Sequence, residues 1–312
     1  MTSPVQASVA ENALEEMWFG APPDPSAEFK ATQSLAAAVA AARGVASFPV
    51  AATKAMRLLD DPSSDMGAIE SALSADVGLV TSILRVANCA LYRPVTPIAN
   101  VREAVARVGM RAVRDLVAGV AAMGAFKGAT GAASRLRSHA VRVGAITRVL
   151  ATEWAQEAVD DAFLTGLLHD VGKLLSHQVG ELDYATLPPQ ATDRPDAAHI
   201  YEQGKLGYDH AVLGAHVLDH WRMPREVVLV TAWHHNPALA IQESAGVGLG
   251  VSLVRMADAI EYGMHGKVHP SRVVAYLSAG TDAQYAGFDP TILEAMWPKL
   301  EVACSELEAI LR

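Results

Sequence analysis

The chain has 312 residues, a formal net charge of −9, and is 51% hydrophobic with only 6% aromatic residues. That acidic balance lacks the electrostatic footprint of a nucleic-acid binder. The opening residues show neither a basic n-region nor an apolar h-region, and the longest apolar run, Leu116–Phe126, is too short to span a bilayer.

The two cysteines, Cys89 and Cys304, make neither a disulfide framework nor a zinc motif. A bacterial-type cytosolic protein without a membrane span is expected. Alanine is abundant, and no stretch alternates apolar and polar residues at period two, so the fold is expected to be all-α.

In chain order, residues 1–26 hold four prolines and read as a mobile tail, with a short helix around Asn12–Phe19. A helix is expected from Ala27 to Arg43, stopped by Gly44. Pro49 opens the next, which Asp60-Asp61-Pro62 closes. Further helices are expected at Met66–Ser74 and Val77–Cys89. Asn88 is expected to be buried there and to cap a neighbouring backbone, fixing the turn Leu91–Pro97.

Asn100 followed by Glu103 has the spacing of a capping box for a helix Val101–Val108. After Gly109 a helix runs to about Phe126. Its residues are apolar for most of its length, so it reads as a core helix rather than a DNA-recognition helix.

The small, unpatterned segment Lys127–Ser134 is the expected boundary between an N-terminal helical subdomain (27–127) and a second one (135–312). In the second half, helices are expected at Arg135–Trp154, Asp160–Leu175, Ala197–Gly204, His210–Trp221, Pro224–His235, Val247–Tyr262, Pro270–Ala279 and Pro290–Leu311. The stretch His177–Arg194 is expected to be an exposed loop.

The run Phe163–Ser176 carries the strongest chemical signal. Apolar residues at helical spacing lead directly into His169-Asp170, followed by Gly172 and Lys173. A buried histidine and carboxylate need a partner. A divalent metal satisfies both; so does a hydrogen-bonded core histidine beside an N-capping aspartate. All 11 histidines lie at or after residue 139, several next to apolar residues on helices.

The ordered set His139, His169-Asp170, His210, His234-His235, Asp258 resembles the HD superfamily of metal-dependent phosphohydrolases. The resemblance implies a first metal held by His139, His169, Asp170 and Asp258. It implies a second completed by His210, His234 and His235, with Asp170 as the bridge. One or two ions of Fe, Mn or Zn are expected. The form HDxGK is met by His169–Lys173, which implies that Lys173 aims its ammonium at a phosphate and that Asp170 and Lys173 are the catalytic candidates. His177, His199, His216, His220, His265 and His269 are expected to be structural or surface residues.

A closer resemblance covers residues from about 43 to 260 and is to the HDOD domain, a regulatory relative of the HD and HD-GYP proteins. It rests on SFPVAATKAMRLLDDPSSDMGAIESALSADVGLVTSILRVANCALY, PIANVREAVARVGMRAVRDLVA, DAFLTGLLHDVGKL and YEQGKLGYDHAVLGAHVLDHWRMPREVVLVTAWHH. It implies an N-terminal helical bundle of the HDOD type followed by an HD-like helical domain. It implies a cytosolic signalling protein acting through a ligand, nucleotide or phosphate, or through a protein partner.

The alternatives are an active phosphohydrolase or phosphodiesterase, and a structural protein whose histidines only hydrogen-bond in the core. The chain reads HHNPALAIQ where cyclic-di-GMP phosphodiesterases carry their GYP segment. Arg135 stands where some of those enzymes place a carboxylate for a third metal. Both departures argue against cyclic-di-GMP as substrate.

Overall fold

The computed structural model describes residues 25–46, 48–92, 94–155, 159–191 and 197–311. The tail and the short helix expected around Asn12–Phe19 lie outside them. Every regular element among the described residues is helical. No single helix there is long and apolar enough to cross a membrane.

The first half is a set of helices: α1 (Pro25–Val45), α2 (Val50–Asp60), α3 (Met66–Ser74), α4 (Val77–Ala87), α5 (Val101–Val108) and α6 (Met110–Gly124). Local chemistry sets their ends. Asp65 and Asp76 accept hydrogen bonds from the Ala68 and Leu79 amides and so start α3 and α4. Asn100 caps α5 through the Glu103 amide, and Glu103 reaches back to the Ala99 amide, one residue earlier than in the usual box. α6 is buried along most of its length, from Ala112 to Met123, and α2, α4 and α5 pack around it.

The capping expected of Asn88 is present, but its burial is not. Asn88 is exposed, yet its side chain donates to the Leu84 and Ile98 carbonyls and accepts from the Ile98 amide at 2.7 Å. An exposed amide can still staple a loop when both of its ends are used.

The second half comprises α7 (Gly131–Trp154), α8 (Val159–Leu168), α9 (Val171–Val179), α10 (Ala197–Leu206), α11 (His210–His220) and α12 (Arg225–Trp233). It continues with α13 (Pro237–Glu243), α14 (Ala245–His265), α15 (Pro270–Ala279), α16 (Thr281–Tyr285) and α17 (Leu293–Leu311). α8 is the axis: Phe163, Leu164, Leu167 and Leu168 are completely buried, and α6, α7, α12 and α14 surround it. It meets α7 at backbone distance. A Cβ on Gly166 would lie 2.4 Å from the Thr147 hydroxyl and 2.9 Å from the Gly144 Cα, so Gly166 leaves no room for a side chain, and one on Gly144 would sit tightly at 3.1 Å from Phe163 and Leu167.

α1 packs on α9, α10 and α11, and α17 packs on both α7 and α4. One hydrophobic cluster runs from Ala38 to Leu311.

Three expectations are corrected. The helix expected over Asp160–Leu175 is two helices broken at His169-Asp170, and the second continues to Val179. The stretch from 177 is not a wholly exposed loop, since Leu182 and Ala191 are buried. α13 and α16 form where no helix was expected: Asn236 caps α13 through the Leu239 amide, and Pro237 occupies its first turn.

Candidate metal centre

The break between α8 and α9 creates the centre. His169 ends α8 in a turn, and Asp170 occupies the N-cap position of α9 without using its side chain as a cap. The carboxylate is therefore free to point away from the helix end. Gly172 lets α9 close on the start of α11, because a Cβ there would lie 1.9 Å from the His210 carbonyl oxygen. That approach brings His210 to Asp170. The C-terminal end of α12 delivers His234 and His235, α7 delivers His139, and α14 delivers Asp258.

All seven residues singled out in the sequence meet here. The ligating atoms of Asp170, His210, His234 and His235 lie within 4.8 Å of one another, as do those of His139, His169 and Asp258; each group could hold a metal ion. Asp170 joins the two. Its Oδ1 is 3.0 Å from His210 Nε2 and 3.6 Å from His234 Nε2, while its Oδ2 is 3.5 Å from the Nε2 atoms of both His139 and His169. His139 Nε2 is also 3.4 Å from Asp258 Oδ1. Lys173 lies one turn after Asp170 and donates to its Oδ2 at 2.6 Å.

Around this shell, four imidazoles are locked through Nδ1. His169 and His234 bond the carbonyls of Gly166 and Thr231, at 2.8 and 2.7 Å. His210 bonds Glu202 at 2.6 Å, and His139 bonds Glu261 at 2.8 Å. Each lock turns Nε2 inward, the arrangement that orients and strengthens a metal-binding imidazole. Glu202 and Glu261 are buried, and sequence reasoning missed both. Glu261 falls on a mostly apolar helix face and stands one turn after Asp258, which is the signal that could have revealed it.

The electrostatics describe buried carboxylates and imidazoles that are strongly coupled to one another. Burial opposes a charged His139, but its contacts with Asp170, Glu261 and Asp258 push it up to about 10. Burial likewise opposes protonation of His210, and Glu202 overrides it to about 9. Burial takes His169 down to about 3. Against the cost of burial, the surrounding cationic groups hold Asp170 well below the usual carboxylate range.

Three Nε2 atoms crowd together, with His210 3.3 Å from His234 and 3.0 Å from His235. Asp170 Oδ1 is buried and accepts no hydrogen bond. Three imidazole nitrogens facing one another beside a buried carboxylate form a donor set that a divalent cation can bridge, and imidazole and carboxylate donors suit a transition metal.

The remaining histidines do not join either group. His216, His220, His265 and His269 are exposed. His199 stacks on His235 with ring centroids 4.0 Å apart. A cavity of about 280 Å³ opens onto His169, His234, His235 and Asp258, with Arg255, Tyr276 and Asp282 on its walls.

An all-helical fold around a His/Asp cluster of this kind defines the class of HD-like proteins. The sequence model of the HDOD domain matches residues 45–237, and the chain belongs to that family.

Three known proteins show the likeness. A Shewanella amazonensis protein provisionally named a phosphohydrolase superposes with a TM-score of 0.66 at 22% identity, over 89% of this chain and 98% of that one. An HDOD domain protein of unknown function from Geobacter sulfurreducens gives 0.60 at 21% identity, over 88% and 97%. Both show the fold. An uncharacterized protein of Treponema pallidum (strain Nichols) is 26% identical over 214 residues, which are 68% of this chain and 42% of that protein. This chain therefore spans less than half of that relative's length.

Proposed function

We propose that this chain is a signalling protein whose HD-like site binds one or two divalent transition-metal ions, with a phosphate- or nucleotide-bearing ligand as the signal it reads. The first ion would be held by His139, His169, Asp170 and Asp258, the second by Asp170, His210, His234 and His235. The observation that carries this reading is Asp170: a buried carboxylate, unused as a cap, with one oxygen turned to each histidine group. A core that merely satisfied its histidines would not turn the Nε2 atoms of His210, His234 and His235 toward one another beside that carboxylate.

When bound, such ions supply Lewis acidity and lower the pKa of a coordinated water. The chain's own part is positional. Glu202 and Glu261 fix the tautomers of His210 and His139. Lys173 holds positive charge beside Asp170 Oδ2, where it can meet a phosphate oxygen. The 280 Å³ cavity gives a ligand access to both halves of the cluster, and that favours hydrolysis of a phosphate ester as the second reading.

Elemental analysis of protein purified without chelator tests the first reading. One or two equivalents of metal are expected in the wild type, with a marked loss in Asp170→Asn. A metal content near zero, with no rise in thermal stability on adding Mn, Fe or Zn, would overturn it.

A further inference from the structure

Three arginines stand within about two turns on α7. Two are engaged. Arg137 bonds the Met123 and Leu311 carbonyls, and Arg142 pairs with Glu261 and Glu308. Arg135 is different: it is exposed, and among the described residues it makes no ion pair or hydrogen bond.

It is also the shared wall of two cavities. One, of about 190 Å³, is lined by Arg135, Lys173, Tyr184 and alanine and leucine side chains, and among the described residues no carboxylate lines it. The other, of about 320 Å³, places Arg135 beside His139. Lys173 is only 12% exposed, and just one of its three ammonium donors is used, on Asp170. Two other cavities also carry two cations, but each has a carboxylate on its wall, Asp76 or Glu261; the 190 Å³ cavity has none among the described residues.

We propose that Arg135 and Lys173 form an oxyanion site that grips a phosphoryl group beside the His139 half of the cluster. The planar guanidinium presents a fork that matches two phosphate oxygens, and the ammonium serves as a point charge. At about 190 Å³ the cavity is smaller than the roughly 300–1,000 Å³ that encloses a whole organic ligand. It therefore suits free phosphate or the phosphoryl end of a larger molecule. Arg135 is here a binding residue rather than a metal ligand. The proposal rests on the reading above that the site serves a phosphate-bearing ligand.

The test is calorimetric titration of the metal-loaded full chain with inorganic phosphate and, separately, with adenosine 5′-monophosphate, alongside measurement of metal content. For Arg135→Gln we expect at least a tenfold loss of affinity for whichever probe binds, metal content equal to wild type, and partial recovery in Arg135→Lys. Loss on both probes points to phosphate itself as the determinant. Loss on the nucleotide alone points to a tethered phosphoryl group. Unchanged affinity in Arg135→Gln, or no binding of either probe by metal-loaded wild type, overturns the proposal. Absence of metal from the wild type overturns the earlier reading instead. Arg135 is exposed, so Arg135→Gln is expected to melt with the wild type.

Discussion

The Cβ that Gly172 lacks would sit 1.9 Å from the carbonyl oxygen of His210. Within HDVGK, glycine is therefore a steric requirement: it sets how closely α9 approaches α11, and so whether His210 reaches Asp170. Gly214 on α11 faces the same junction, 3.1 Å from the Gly172 amide by its own missing Cβ.

Gly172→Ala is accordingly expected to destabilise the fold by about 3 kcal/mol, the upper end of ordinary overpacking costs, and to lower metal content with it. Urea unfolding alongside elemental analysis reads both. A loss under about 0.5 kcal/mol, the scale of neutral surface changes, would show that the junction is slack.

Glu202 accepts from both the backbone amide and Nδ1 of His210, at 2.7 and 2.6 Å, and takes the Tyr184 hydroxyl on its other oxygen. Glu202→Gln keeps the shape but removes the charge that orients the imidazole. Metal affinity, measured by chelator competition, is expected to fall about 10- to 100-fold, the usual effect of losing such a partner. An affinity within twofold of wild type would mean that His210 is not a ligand, or that its orientation is set elsewhere.

Asn88 makes three side-chain hydrogen bonds: two tie the end of α4 to the backbone of Ile98, and one returns to the Leu84 carbonyl within α4. Net gains of roughly 0.5–1.5 kcal/mol for each bond, reduced by its exposure, place Asn88→Ala at about 1–2 kcal/mol of destabilisation. Thermal unfolding checks this. An unchanged midpoint would mean that water replaces the amide without loss.

Much of the site was legible because histidine is conspicuous on an apolar helix: His169, His210 and His234 interrupt runs of Leu, Val and Ala. Their order along the chain carried the rest of the cluster. The break at His169-Asp170 was not legible, since the same apolar spacing continues on both sides, from Leu167 and Leu168 to Leu174 and Leu175. The contact made just after the break, Gly172 against the His210 carbonyl, is tertiary and has no trace in that spacing. The seven-residue α13 was missed because a helix that short has little periodicity to read. The Asn88 staple was visible as a polar residue in an apolar segment. Its exposure was not, because it depends on where the residues around Ile98 return to α4.

The segment after His235 gives the last prediction. Asn236 caps α13, which packs on α14 and α12, so this stretch is spent on structure beside the cluster. Residues 236–241 contain no ionisable side chain to meet a phosphate. In the resembling phosphodiesterases the GYP segment helps shape the substrate pocket at this point. Catalysis needs the scissile phosphate held in line, and a misplacement of about 1 Å can cost roughly a hundredfold in rate. Metal-loaded protein is therefore expected to hydrolyse cyclic-di-GMP weakly or not at all, even if Lys173 and Arg135 hold its phosphate. The assay follows product formation by chromatography, with Asp170→Ala as the control for contaminating activity. Robust cleavage by the wild type and none by the variant would show that another wall, such as the Arg255–Asp282 side of the 280 Å³ cavity, positions the substrate. It would also place the hydrolytic reading ahead of the binding one.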